Sequence, residues 1–119
     1  MPLGISTAFD QNYACNTCDL TDMDRDEHLD RRTWRCKTCN KPVQIYLENE
    51  NGDSYLVERL QACELKVGQF ITLEYDISQG AFEVLASEPA MGKGNKWYVA
   101  FRRLRGQQVE RDTHYNRII

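Results

Sequence analysis

Short stretches of alternating apolar and polar residues fill the chain from residue 43 onward. Val43, Ile45 and Leu47 stand at every second position, which is the period of a β-strand with one buried face. The dipeptide Asn51-Gly52 follows, and it predicts a tight hairpin turn. Similar stretches, separated by turn residues, predict further strands at 55–60, 70–75, 81–86 and 97–101.

The pattern as a whole predicts a mainly β protein. Five short strands in succession are typical of a small barrel-like sheet of the SH3-like or OB-like kind, here expected over residues 43–105. Residues 55–66 also tolerate helical spacing, so a helix is the competing interpretation there. Residues 1–12 have no clear period and are expected to form an extended lead-in. Residues 106–119 are expected to form a basic C-terminal arm.

Cysteines occur in two close pairs ahead of the first predicted strand. Cys15 with Cys18, and Cys36 with Cys39, form two C-x2-C pairs separated by seventeen residues. Two thiolates at this spacing on a tight turn reach one ion at about 2.3 Å, and two such turns complete a tetrahedron. The pairs therefore predict one structural Zn²⁺ ion. Four thiolates would leave that ion no open position for catalysis.

With these four cysteines and their flanking residues, the segment 13–47 resembles the zinc-ribbon superfamily. The resemblance implies a small metal-held β-module over residues 13–42, which we call the cysteine module. About 40 residues bury too little apolar surface to fold without a staple such as a metal. Zinc ribbons occur in many unrelated proteins, so the resemblance implies a metal but no particular activity.

Two other chemistries use paired cysteines. A redox dithiol needs one pair at a helix N-terminus in a thioredoxin-like βαβ setting, which the pattern lacks. An iron–sulfur cluster also takes four thiolates, but ferredoxin-like spacing is missing. The fifth cysteine, Cys63, is expected to be a small buried residue near the sheet.

Acidic residues crowd the segment 19–30, which we call the acidic loop. Asp22, Asp24 and Asp26 stand at alternate positions, as at the start of a calcium-binding EF-hand loop. The match fails at Glu27, where that loop has glycine, and at Thr33, where it has a bidentate glutamate. We therefore expect a solvated, mobile loop. Its charge would repel a nucleic-acid backbone and would suit a basic protein partner.

Positive charge gathers toward the other end of the chain, although the net charge is −3. Residues 93–119 carry 7 basic and 2 acidic side chains. A strand at 97–101 would turn Trp97, Val99 and Phe101 toward the core. We call residues 93–105 the basic segment. Its candidate nucleic-acid-binding side chains are Lys93, Lys96, Tyr98, Arg102, Arg103 and Arg105. The same charges would also protect an edge strand from pairing with another sheet.

No arrangement typical of catalysis is visible in the sequence. His28 and His114 stand apart from any nucleophile motif, and neither G-x-S-x-G nor H-E-x-x-H occurs. We therefore expect a non-catalytic accessory protein that binds nucleic acid through the basic segment. The first alternative is a protein–protein adaptor or regulatory subunit that uses the acidic loop and the β-domain. The second alternative is an enzyme or a thiol-redox protein.

Two further features of the sequence bear on the cellular setting. The chain starts without a signal-peptide pattern, and it lacks an apolar run of membrane-spanning length. Thiols stay reduced in the cytoplasm, which agrees with metal binding by cysteine. We expect a cytoplasmic protein without a membrane partner. The pattern leaves the oligomeric state open, as well as the choice among DNA, RNA and a protein partner.

Overall fold

The computed structural model describes residues 5–92 and 94–119. In these ranges the chain forms ten β-strands and two 3-10 helices, Ala62–Glu64 and Ile77–Gln79. The strands are β1 (Asp10–Ala14), β2 (Leu29–Asp30), β3 (Arg35–Cys36), β4 (Gln44–Glu48), β5 (Ser54–Gln61), β6 (Phe70–Thr72), β7 (Ala81–Pro89), β8 (Lys96–Phe101), β9 (Gln107–Glu110) and β10 (His114–Ile118). The mainly β class is therefore confirmed.

Eight of these strands form one antiparallel sheet in the order β1-β4-β5-β10-β6-β7-β8-β9, and β2 pairs with β3 in a separate ribbon. The hairpin expected at Asn51-Gly52 joins β4 to β5, and Gly52 has a φ of 87°. Glycine adopts this left-handed conformation without steric cost. The helical interpretation of residues 55–66 is wrong, because β5 continues to Gln61 before a single 3-10 turn.

The expected barrel is also wrong. Among the described strands, β1 and β9 form the two edges of the sheet and do not pair with each other. Residues 107–110 and 114–118, expected in an extended arm, form β9 and β10 instead. β10 lies in the middle of the sheet, where it pairs with β5 on one side and β6 on the other. The insertion of β10 places β5 and β6 on either side of a sixth strand, so the five predicted strands do not form a barrel by themselves.

Two clusters of buried side chains lie against the sheet. The first is shared between the cysteine module and the sheet: Trp34 and Leu29 from the module pack with Ile45, Leu47 and Val57. The second lies under β6, β7 and β8, and Val99 and Phe101 belong to it while Trp97 packs against it. The predicted inward face of β8 is thus confirmed. The cysteine module packs directly on the half of the sheet that contains β4 and β5.

Arg59 of β5 is enclosed in the protein, with 1% of its surface exposed. Its guanidinium donates to the Asp10 carboxylate at 2.5 and 2.9 Å, and its Nε donates to Asn116 Oδ1 at 2.9 Å. Its Cζ lies 4.3 Å from the centre of the Trp34 ring. Tyr13 adds a further hydrogen bond to Asp10. Arg59 therefore connects β1, β10 and the cysteine module to β5.

Candidate metal centre

Each C-x2-C pair forms a tight knuckle with the same backbone pattern. Cys15 exchanges two backbone hydrogen bonds with Leu20, at 2.9 and 3.0 Å, and the Cys36 N–H donates to the Lys41 carbonyl at 2.9 Å. The residue after each second cysteine has a left-handed backbone, with φ of 56° at Asp19 and 60° at Asn40. Aspartate and asparagine tolerate this conformation better than most residues.

The knuckles bring four thiol groups together in the cysteine module. The sulfur atoms of Cys15, Cys18, Cys36 and Cys39 all lie within 4.8 Å of one another. Cys15 Sγ is 3.5 Å from Cys39 Sγ, and Cys18 Sγ is 3.9 Å from Cys36 Sγ. These distances are too long for disulfide bonds. They match the sulfur–sulfur edges of about 3.8 Å in a tetrahedron with metal–sulfur bonds of about 2.3 Å. The convergence of the four cysteines is therefore confirmed, and the donor set fits one metal ion.

The thiol groups influence each other strongly. Burial raises the pKa of Cys15, and the hydrogen bond to Cys39, followed by burial, raises the pKa of Cys18 to about 12. Burial also acts to raise the pKa of Cys36. Hydrogen bonds from the backbone N–H groups of Cys39 and Thr38, together with the neighbouring thiols, outweigh burial and lower the pKa of Cys36 to about 7. A bound cation favours the thiolate form of every ligand, so metal binding would release protons from this cluster.

A chain of polar contacts connects the first knuckle to the sheet. Gln44 of β4 is buried, and its Oε1 accepts a hydrogen bond from the Asn16 N–H at 2.8 Å. Its Nε2 donates to Glu58 Oε2 at 2.7 Å, and Glu58 is paired with Arg117 of β10. Asn16 lies between the two cysteines of the knuckle. Gln44 therefore holds the knuckle backbone in place without contributing a ligand to the metal.

We expect Gln44→Ala to weaken metal binding by about tenfold, in the range typical of groups that orient ligands from outside the coordination sphere. The substitution removes the acceptor for the Asn16 N–H. The measurement is competition for the metal with a chromophoric chelator. Gln108→Ala, an exposed position on β9, is the matched control. Equal affinities for both variants and the unchanged protein would contradict the role of Gln44.

The acidic loop makes local contacts that suit a turn. The Asp24 carboxylate accepts hydrogen bonds from the N–H groups of Asp26 and Glu27, at 2.8 and 2.9 Å, and these bonds lower its pKa. Asp22 accepts from Asn12 at 2.5 Å. In the described part of the chain, one group of three or more potential metal ligands has its ligand atoms close together, and this group is the four cysteines.

The structure disperses the candidate nucleic-acid-binding residues. Lys93 lies outside the described residues. Lys96, at the start of β8, is ion-paired with Glu110 of β9, and Arg102, after the other end of β8, is 3.0 Å from Glu83 of β7. Arg102, Arg103 and Arg105 are near one another in sequence, in the connection between β8 and β9.

The remaining candidates of the basic segment have specific surroundings. Arg103 has a φ of 70°, and its Cζ lies 5.4 Å from the centre of the Phe82 ring. Arg105 is exposed and lines a cavity beside β6 and β10. Tyr98 packs on Gly106, where an added Cβ would lie 1.9 Å from its hydroxyl oxygen. Tyr98 is therefore half-buried and is not a free stacking platform. A side chain at position 106 would require the Tyr98 ring to move.

Cys63 was expected to be buried near the sheet. It is only half-buried, in the 3-10 helix that follows β5, and its Sγ lies 3.7 Å from Gln61 Oε1.

Two other residues have surroundings that the sequence pattern did not indicate. Thr72 and His114 line the same cavity as Arg105. No local motif marks them, because the cavity is assembled from β6, β10 and the β8–β9 connection, which are distant in sequence.

Comparisons of the chain with profiles of known protein families, with curated proteins and with solved structures give no match. Membership of the zinc-ribbon superfamily therefore stays a prediction from the cysteine pattern. Both helices in the described part of the chain are single 3-10 turns, and neither has the length or apolar character needed to span a bilayer.

Proposed function

We propose that the protein is a non-catalytic accessory protein that binds nucleic acid through the basic segment, with one structural Zn²⁺ in the cysteine module. The zinc assignment is supported by four sulfur donors at tetrahedral spacing. Zinc is the usual metal of such closed four-thiolate sites, where its role is to hold the fold. An ion with four protein ligands has no open coordination position for a substrate. The metal is therefore expected to hold the fold and not to catalyse a reaction.

One observation carries the nucleic-acid proposal. Arg102, Arg103 and Arg105 are all exposed in the β8–β9 connection, and Arg105 lines a cavity that Phe101 and Tyr115 also line. Basic side chains next to aromatic rings are the combination that binds single strands. The ion pairs of Lys96 and Arg102 offset part of the charge. Arg103 and Arg105 are therefore the strongest candidates for phosphate contacts.

The double variant Arg103→Ala/Arg105→Ala is expected to weaken binding to a single-stranded oligonucleotide and to lower its salt dependence. The slope of log affinity against log salt should fall by about 0.7 for each phosphate that the variant no longer neutralises on a single strand. Fluorescence anisotropy across a salt series measures both quantities. Arg31→Ala/Arg32→Ala removes two exposed arginines from the cysteine module and is the matched control. The proposal fails if both double variants behave alike or if the unchanged protein does not bind.

A protein–protein adaptor is the second candidate. Asp19, Asp22, Asp24, Asp26 and Glu27 all lie at the surface of the acidic loop, and this surface suits a basic partner. This function would be supported if one protein co-purifies in stoichiometric amount and stays bound after nuclease treatment. The same protein should be lost when the acidic side chains of the loop are neutralised by substitution. A capture that nuclease abolishes would favour nucleic acid as the direct partner.

A further inference from the structure

The cavity that Arg105 lines also has an exposed tyrosine in its wall. The cavity has a volume of about 350 Å³. Tyr75 lines it from the segment between β6 and the 3-10 helix Ile77–Gln79, and 69% of the surface of this residue is exposed. Leu104, in the β8–β9 connection, also lines the cavity and is 37% exposed. Tyr75, Leu104 and Arg105, which we call the rim, can therefore be contacted from solvent without access to the core.

The backbone of Tyr75 is held on both sides. On one side, Glu74 Oε2 accepts a hydrogen bond from the Ser6 N–H at 2.6 Å. On the other side, the Asp76 carboxylate caps the 3-10 helix by accepting from the Ser78 N–H at 3.2 Å, and the first residue of that helix is fully buried. The exposed ring thus belongs to an anchored segment, so a ligand that contacts it needs to order little of the chain.

An exposed aromatic residue that stands alone is common on protein surfaces and indicates no site. Tyr75 does not stand alone, because an apolar and a basic side chain line the same cavity. A base can stack on a tyrosine ring, and such stacking tolerates every base since each has a π-face. A basic side chain such as Arg105 suits the phosphate next to a stacked base. The rim therefore offers both contacts that a single strand makes.

The charges around the rim favour one direction for the phosphates. Glu74 lines the cavity on the side of Tyr75, and a carboxylate repels a phosphate. Arg103 and Arg105 are exposed in the β8–β9 connection, on the other side. A bound strand is therefore expected to run with its phosphates along that connection and with a base turned toward Tyr75.

We propose that the rim is a base-stacking site for a single strand, in which the ring of Tyr75 stacks on one base while Arg105 contacts the adjacent phosphate. Leu104 adds an apolar contact. The inference rests on the proposed nucleic-acid binding and names the residue that contacts a base. The rim contacts only one face of the base, so a strand that is also held at other phosphates binds more tightly than a free mononucleotide.

Tyr75→Ala is expected to weaken binding to a single-stranded oligonucleotide by about fivefold or more, since about fivefold is the lower end of the effect of one stacked base. The slope of log affinity against log salt should stay the same, because no phosphate contact is removed. Tyr75→Phe keeps the ring and should bind like the unchanged protein. Tyr46→Ala, at an exposed tyrosine of β4 outside the cavity wall, is the matched control. Fluorescence anisotropy across a salt series measures affinity and slope.

A strand with abasic positions, which keeps the phosphates and lacks the bases, gives the second measurement. The unchanged protein should bind it more weakly than the normal strand, and Tyr75→Ala should reduce this difference. If Tyr75→Ala and Tyr46→Ala bind the normal strand equally, the stacking site is wrong while binding through the arginines stands. If the unchanged protein binds neither strand, the proposed function fails and the stacking site fails with it. A mononucleotide that binds as tightly as the strand would overturn the assignment to a single strand.

Discussion

Cys36→Ser is expected to unfold the cysteine module and to abolish stoichiometric metal binding. Cys36 is buried with 1% exposure in the cluster that the module shares with the sheet. The apparent binding free energy of a structural zinc ion is about 10–16 kcal/mol at pH 7 in small metal-folded peptides. That range is comparable with the total stability of a typical domain, so the loss of stability should extend beyond the module. Metal analysis and limited proteolysis between residues 15 and 43 measure the effect.

Chelation of the unchanged protein should reproduce the proteolysis pattern of Cys36→Ser, and added Zn²⁺ should reverse it. Cys63→Ser is the matched control, because Cys63 lies outside the cluster of four sulfurs. It should retain one metal ion per chain and the same melting temperature. A Cys36→Ser protein that keeps its metal and its resistance to protease would show that the module folds without the thiolate cluster.

Arg59→Met is expected to lower the free energy of unfolding by about 3–5 kcal/mol, the usual cost of removing one partner of a buried ion pair. The variant leaves the Asp10 carboxylate buried without its two charged hydrogen bonds. It also removes the donor to Asn116 and the contact with Trp34. Urea denaturation monitored by tryptophan fluorescence is a suitable measurement.

Two further variants distinguish the loss of the Arg59–Asp10 ion pair from general damage to the sheet. Arg59→Met/Asp10→Leu removes both charges, and replacing a buried pair by apolar residues is often close to neutral. The double variant should therefore recover much of the stability. Arg102→Met, which breaks the exposed pair with Glu83, should change stability by less than about 1 kcal/mol. A destabilisation by Arg59→Met no larger than that by Arg102→Met would refute the structural role of Arg59.

The sequence pattern predicted the strands in which apolar residues recur at every second position. β4 and β8 alternate clearly, and the C-x2-C spacing determines which thiols meet. A finer signal is present in the knuckles. Asp19 and Asn40 follow the second cysteine of each pair and take the left-handed backbone that closes each turn.

β10 was not predicted, because the residue at its most buried position is polar. Asn116 is 2% exposed and bonds to Arg59, so a position expected to be apolar is filled by an amide. Arg59 itself looks like a surface residue in the sequence. Polar residues that satisfy one another inside a protein carry no hydrophobic period. For this reason the sheet order and the cavity beside β10 could not be derived from the pattern.

The central place of β10 has a consequence for how the chain reaches its native state. Asn116 of β10 meets Arg59 of β5 across 57 residues of sequence. Pairings between such distant segments form slowly, since a long loop must close before they stabilise the chain. During synthesis, β5 and β6 each expose an unpaired edge until β10 has been made. Exposed edges of this kind pair readily with other chains, so aggregation during biosynthesis is favoured in the interval before β10 docks.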